Sequence, residues 1–115
     1  MDFSTLIENR RKADSATRRL LRRWDGGEAV ICHAQAGHKF LHLCVMLEGQ
    51  RGFLEIRCGD CKFLSGPFRW GPASFELIED PDHPLDYILS DERNNFSVTC
   101  GVVEAEEMYT DTAPY

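Results

Sequence analysis

The chain has 115 residues, of which 43% are hydrophobic and 28% charged, and its formal net charge at pH 7 is −6. This length suits one domain, predicted over residues 1–115, and the composition excludes collagen-like, disordered and disulfide-scaffold classes. No apolar run approaches the roughly 20 residues that a membrane-spanning helix needs, so we expect no membrane interaction.

Residues 1–25 are predicted to form a basic amphipathic helix. Thr5 and Glu8 have the spacing of an N-terminal capping box, and the glycines that follow Asp25 suit a helix end. Apolar residues recur at close to helical spacing, and we expect them to form the buried stripe: Leu6, Ile7, Ala13, Ala16, Leu20, Leu21 and Trp24.

The charge of this helix contrasts with that of the remaining chain. Residues 1–25 hold seven Lys and Arg against four acids, whereas residues 26–115 hold six against fifteen. The basic face can be a solvated surface paired with the acidic body, a docking surface for an acidic partner, or a contact for nucleic acid or membrane. The acidic body favours the first interpretation and makes nucleic-acid binding unexpected. The candidate binding residues of this face are Arg18, Arg19, Arg22 and Arg23.

Residues 28–107 are predicted to form an antiparallel sheet, followed by a loose tail at 108–115. The segment 39–48 fits a strand or a helix, and its surroundings favour a strand. Two hairpins are expected, one turning at Gly59 and Asp60 and one turning at 91–95. The predicted fold is α+β: an N-terminal α-helix packed on a curved antiparallel β-sheet of about six to seven strands, a meander or partly open barrel.

The chain has five cysteines: Cys32, Cys44, Cys58, Cys61 and Cys100. The N-terminal residues lack the pattern of a secretory signal, and the number of cysteines is odd. This combination predicts reduced thiols and a cytoplasmic protein.

Cys58 and Cys61 have the Cys-x-x-Cys spacing of a zinc site, but a structural zinc ion needs four ligands. His38, His42 and Cys44 would share one face of a strand and are the possible further ligands. The alternative is a pair of inert thiols, which we favour, and a redox role is weaker still. No cofactor is expected unless zinc binds.

Phe68, Arg69 and Trp70 form a short aromatic strip between two Gly-Pro breaks. The rings suit the core, or a recognition patch if they are exposed. The sequence contains no phosphate-binding loop, nucleophile elbow or dinucleotide fingerprint, which leaves catalysis uncertain and no catalytic residue to name.

We therefore expect a non-catalytic domain that binds another protein or a second copy of itself through a sheet edge, the aromatic strip or the basic helix. The alternatives are a zinc-binding module centred on Cys58 and Cys61, and a small-molecule or enzymatic pocket inside a curved sheet.

Overall fold

A computed structural model describes residues 2–37 and 39–110 of the chain. It contains one α-helix, α1 (Phe3–Arg23), and nine β-strands. The strands are β1 (Glu28–Gln35), β2 (Phe40–Met46), β3 (Phe53–Gly59), β4 (Phe63–Ser65), β5 (Arg69–Trp70), β6 (Glu76–Glu79), β7 (Tyr87–Asp91), β8 (Phe96–Cys100) and β9 (Val102–Met108). They form two antiparallel sheets, in the orders β5-β1-β2-β3-β9 and β4-β8-β7-β6, which do not close into a barrel within the described residues.

The predicted fold class, an N-terminal helix packed on antiparallel β-structure, is confirmed, and the segment 39–48 contains strand β2. The number of strands is higher than predicted for two reasons. The two-residue strand β5 is too short to show a pattern, and the predicted strand 96–104 is divided at Gly101. Its first part, β8, belongs to the four-stranded sheet and its second part, β9, to the five-stranded sheet.

The predicted hairpin at Gly59 and Asp60 is wrong. β3 pairs with β2 on one side and with β9 on the other, so it has no free edge for β4. β4 pairs instead with β8 in the other sheet. The turn therefore carries the chain from one sheet to the other, with Asp60 at a φ of 52°. The second predicted hairpin is confirmed, because β7 pairs with β8 through a short 3₁₀ turn at Glu92–Asn94.

The helix begins and packs differently from the prediction. Its N-cap is Asp2, whose carboxylate accepts a 2.8 Å hydrogen bond from the backbone N–H of Thr5, so Thr5 is not the cap. Its buried residues are Asp14, Thr17, Leu21 and Trp24, whereas Leu6, Ala13 and Ala16 are exposed. The hydrophobic pattern did not predict the buried face correctly, because two polar residues, Asp14 and Thr17, lie on it. No helix among the described residues combines the length and apolarity that crossing a membrane demands.

The core lies between the two sheets and consists of apolar side chains from both. Trp70 of β5 stacks on Phe96 of β8 with ring centroids 4.6 Å apart, which joins the two sheets through aromatic contact. Around this pair lie fully buried residues of the central strands: Leu41, Leu43, Val45, Leu54, Ile56, Leu89 and Val98.

α1 covers one of the two gaps between the sheets. The Trp24 indole N–H donates to Glu107 of β9 at 2.9 Å, and the Arg18 guanidinium donates to the Leu77 carbonyl of β6 at 3.0 Å. β9 and β6 are the edge strands of their sheets on this side. The helix thus contacts both edge strands, although three of the four residues of β6 remain exposed.

Candidate functional site

No helix of the described residues lies over the gap on the opposite side of the molecule. There a cleft of about 370 Å³ lies between β4 and the end of the β1–β2 hairpin, and we call it the β4 cleft. Its apolar lining consists of Ala34, Ala36, Phe40, Leu41, Phe63, Leu64 and Val98. The volume and the apolar lining are those of a site for a small ligand or for side chains of a partner.

β4 forms one wall of the cleft, and it is an edge strand whose three residues are all exposed. Leu64 pairs with Val98, whose side chain lies in the core, so both side chains point to the same side of the sheet. Leu64 nevertheless remains 44% exposed, and Phe63 is 65% exposed. An inward-facing leucine stays accessible because no described element covers this gap.

The chain fixes the two ends of β4 by backbone geometry. The Lys39 carbonyl accepts a 2.8 Å hydrogen bond from the Cys61 amide, which ties the β1–β2 hairpin to the segment that precedes β4. Gly66 follows β4 at a φ of 137°, and a Cβ atom there would lie 2.8 Å from the Phe96 Cα. Only glycine fits this position, so the exposed edge is short and well defined.

Lys39 and Lys62 also line the cleft, and no carboxylate does so within the described residues. The ammonium of Lys62 pairs with Asp86, and this hydrogen bond raises the pKa of Lys62. Lys39 makes no ion pair with any carboxylate in the described ranges. Lys39 is therefore the charge of the cleft that no described carboxylate offsets, on a chain of net charge −6.

The structure separates the three residues of the aromatic strip. Trp70 is buried and donates its indole N–H to Asp91 at 2.8 Å. Arg69 donates to Glu28 at 2.7 Å. Phe68 is 77% exposed, and its carbonyl accepts the Ile31 amide. One ring therefore belongs to the core, and the other is available at the surface on the β5 side of the open gap.

The four candidate arginines of α1 also differ in their surroundings. Arg18 is half-buried and caps the Leu77 carbonyl, whereas Arg23 pairs with Glu107 at 3.1 Å. Arg19 and Arg22 are exposed, and their side chains form no hydrogen bond or ion pair with another described residue. Two of these side chains thus hold the helix in place, and two face solvent.

Cys58 and Cys61 lie on opposite sides of the turn between the two sheets. Cys58 is buried, and its thiol hydrogen-bonds with that of Cys100, which together with burial raises the pKa of Cys58 far above its usual range. Cys61 is half-buried, its thiol lies 3.4 Å from the Cys58 carbonyl, and burial raises the pKa of Cys61 to about 11. Thiols with raised pKa values are poor nucleophiles and poor metal ligands at neutral pH.

The expectation that all five cysteines are free is wrong, because a disulfide joins Cys32 to Cys44. A bulge in β1 at Cys32 brings the two sulfur atoms together across β1 and β2, and Cys44 is thereby occupied. Burial lowers the pKa of His42, and the Phe40 ring lies 4.1 Å from its ring. His38 lies outside the described residues.

Among residues 2–37 and 39–110, no three His, Cys, Asp or Glu side chains are grouped as a metal ion requires. The zinc hypothesis for Cys58 and Cys61 stays a prediction. The residues that sequence reasoning missed are those of the β4 cleft: Lys39, Phe40, Lys62, Phe63 and Leu64. The sequence marks this site only weakly, because β4 is an apolar strand of three residues whose partner strand lies 34 residues further along the chain.

No protein-family model, curated protein or solved structure matches this chain.

Proposed function

We propose that this chain is a non-catalytic protein-interaction domain that binds an extended segment of another protein along the free edge of β4. The observation that carries the proposal is the difference between the two gaps. α1 contacts the edge strands β6 and β9, while β4 keeps an apolar edge open beside a cleft.

Strand addition uses both features of this place. The unpaired backbone groups of an edge strand bond to the backbone of an added segment, and a neighbouring pocket selects its side chains. Phe63 and Leu64 supply apolar surface that a partner removes from water, at about 25 cal/mol per Å². Phe68, which follows Gly66 along the chain, is a further exposed apolar side chain.

Selection of displayed extended peptides against the purified protein tests the proposal. We expect bound peptides to shift the amide NMR signals of Phe63, Leu64 and Phe40, and Leu64→Asp to weaken binding at least tenfold. The matched control is Leu85→Asp, which changes an exposed leucine that does not line the cleft. Shifts confined to α1, or equal binding by Leu64→Asp, would contradict the proposal.

A second copy of the chain is the other protein that can pair with β4. Antiparallel pairing centred on Leu64 places Phe63 opposite Ser65 and joins two four-stranded sheets, as in an isologous dimer. Light scattering of the purified protein separates the two cases. A monomer at high concentration fits the proposed foreign partner, and a dimer that Leu64→Asp dissociates fits self-association.

We also propose a cytoplasmic location, which rests on the three cysteines that remain free thiols. The Cys32–Cys44 disulfide favours an oxidising compartment instead, because thiols stay reduced in the cytoplasm. Alkylation of the cysteines during denaturing lysis of cells, without a reductant and followed by mass measurement, decides between them. A cytoplasmic location predicts that the disulfide is reduced in the cell and that all five cysteines are tagged, and three tags would contradict it.

A further inference from the structure

We infer that the segment bound in the β4 cleft is acidic, with a carboxylate beside an apolar anchor residue. This inference rests on the proposed function and specifies the chemistry of the partner. It follows from where the charged and the apolar parts of the cleft lie.

The two lysines of the cleft lie at the same end of it. The Lys39 carbonyl accepts the Cys61 amide at 2.8 Å, and Lys62 is the next residue along the chain. Lys39 has a φ of 50°, and this hydrogen bond holds its backbone in place. Both lysine side chains therefore extend from neighbouring backbone positions at the start of β4.

These two charges differ in how far the chain itself neutralises them. Asp86 is buried and pairs with Lys62, and Asp60 lies 4.0 Å from the same ammonium. For Lys39, no carboxylate partner exists within the described ranges. A carboxylate of the bound segment can pair with the Lys39 ammonium at this end of the cleft, since opposite charges within about 4–6 Å attract each other.

The net charge of the chain does not prevent this contact. Ionic strength near 0.15 M screens exposed charges beyond about 8 Å, so the charges nearest the cleft dominate the field that a bound carboxylate meets. Among these, Asp60 and Asp86 offset Lys62, but no described carboxylate offsets Lys39. The acidic residues of the chain act mainly during approach, where they lower the association rate.

The rest of the cleft is apolar and fits a hydrophobic anchor. Phe40 and Leu41 form one wall and Leu64 the other, while Val98 lies between them. A cleft of about 370 Å³ has room for one large side chain. The bound segment thus places one aliphatic or aromatic residue between these walls and its carboxylate within a few residues, toward Lys39.

A random twelve-residue peptide library, displayed and selected against the wild-type protein, tests this chemistry. We expect Asp or Glu to be enriched close to an apolar residue. Fluorescence anisotropy of one selected peptide and its Asp→Asn or Glu→Gln form should show binding that is about threefold to tenfold weaker for the neutral form.

The matched pair of protein variants is Lys39→Glu and Lys12→Glu. Lys39 lines the cleft, whereas Lys12 lies on α1 and pairs with Glu8. Both substitutions change the net charge equally, so only Lys39→Glu should weaken the acidic peptide. A lysine in place of the peptide carboxylate should restore binding to Lys39→Glu.

The outcomes separate this inference from the proposed function. Peptides that shift the signals of β4 but bind equally well when neutral would overturn the inference and leave the proposed function standing. Peptides that bind elsewhere would overturn both. Decanoate serves as a small amphiphilic carboxylate in the same assay. If it binds at Lys39 more tightly than every selected peptide, the inferred ligand of the cleft is a small carboxylate and not an acidic segment.

Discussion

Asp14 is a charged residue on the buried face of α1, where its carboxylate accepts hydrogen bonds from the Tyr87 hydroxyl at 2.8 and 2.9 Å. The Arg10 guanidinium lies 4.5 Å from the centre of the Tyr87 ring. Three polar or aromatic side chains thus satisfy one another between the helix and β7. This contact explains how a helix with a half-polar buried face remains attached to the sheets.

We expect Asp14→Ala to destabilise the protein by about 1–3 kcal/mol, because the buried Tyr87 hydroxyl loses its acceptor. Asp14→Asn keeps an acceptor oxygen and should cost less. Urea unfolding measures both, and a double-mutant cycle with Tyr87→Phe isolates the pair. A cost for Asp14→Ala that is unchanged in the Tyr87→Phe background would contradict this account.

The same pair predicts a loss of stability at alkaline pH. Burial and the hydrogen bond with Asp14 raise the pKa of Tyr87 to about 12, against about 10 in the unfolded chain. Between these values the unfolded chain releases the proton first, so the free energy of unfolding falls as the pH rises from about 10 toward 12. Urea unfolding at several pH values across this range should show that the free energy of unfolding falls more with pH for the wild type than for Tyr87→Phe.

At the scale of elements, the arginines of α1 are not one surface. The Arg18 side chain donates to a carbonyl of the edge strand β6, while that of Arg19 is exposed and forms no hydrogen bond or ion pair with another described residue. The sequence shows only a run of similar residues with helical spacing. Which arginine side chain faces the sheets depends on where the helix crosses the sheets.

Arg18→Ala should therefore destabilise the protein by about 1.5–3 kcal/mol, since a charged donor leaves the Leu77 carbonyl. Arg19→Ala is the matched control and should stay within about 0.5 kcal/mol of the wild type. Thermal and urea unfolding measure both. Equal effects of the two substitutions would show that the contact with β6 does not hold the helix.

Local patterns predicted those elements whose neighbours in sequence are also neighbours in space. The β7–β8 hairpin was predictable because its polar turn joins strands that pair directly. The predicted hairpin at Gly59 failed because β3 already has two partners, and its pairing with β9 brings together residues about 50 positions apart. No local pattern contains that information.

At the scale of the whole molecule, the same limitation applies to the candidate site. The β4 cleft combines the end of the β1–β2 hairpin with β4 and β8, which only the arrangement of the two sheets brings together. The basic helix and the aromatic strip were visible in the sequence, but much of each holds the fold together. Arg18, Arg23 and Trp70 are bonded to other elements, and the exposed apolar edge lies in a strand that the sequence hardly marks.

The account divides the molecule into one gap that α1 spans and one gap that remains open for a partner. Hydrogen–deuterium exchange of the backbone amides, with and without a selected peptide, tests this claim most directly. We expect the peptide to slow exchange at Phe63–Ser65 and to leave β6 and β9 unchanged, since α1 already contacts those strands. Unchanged exchange in β4, with slowed exchange elsewhere, would contradict the claim that its edge is the binding site.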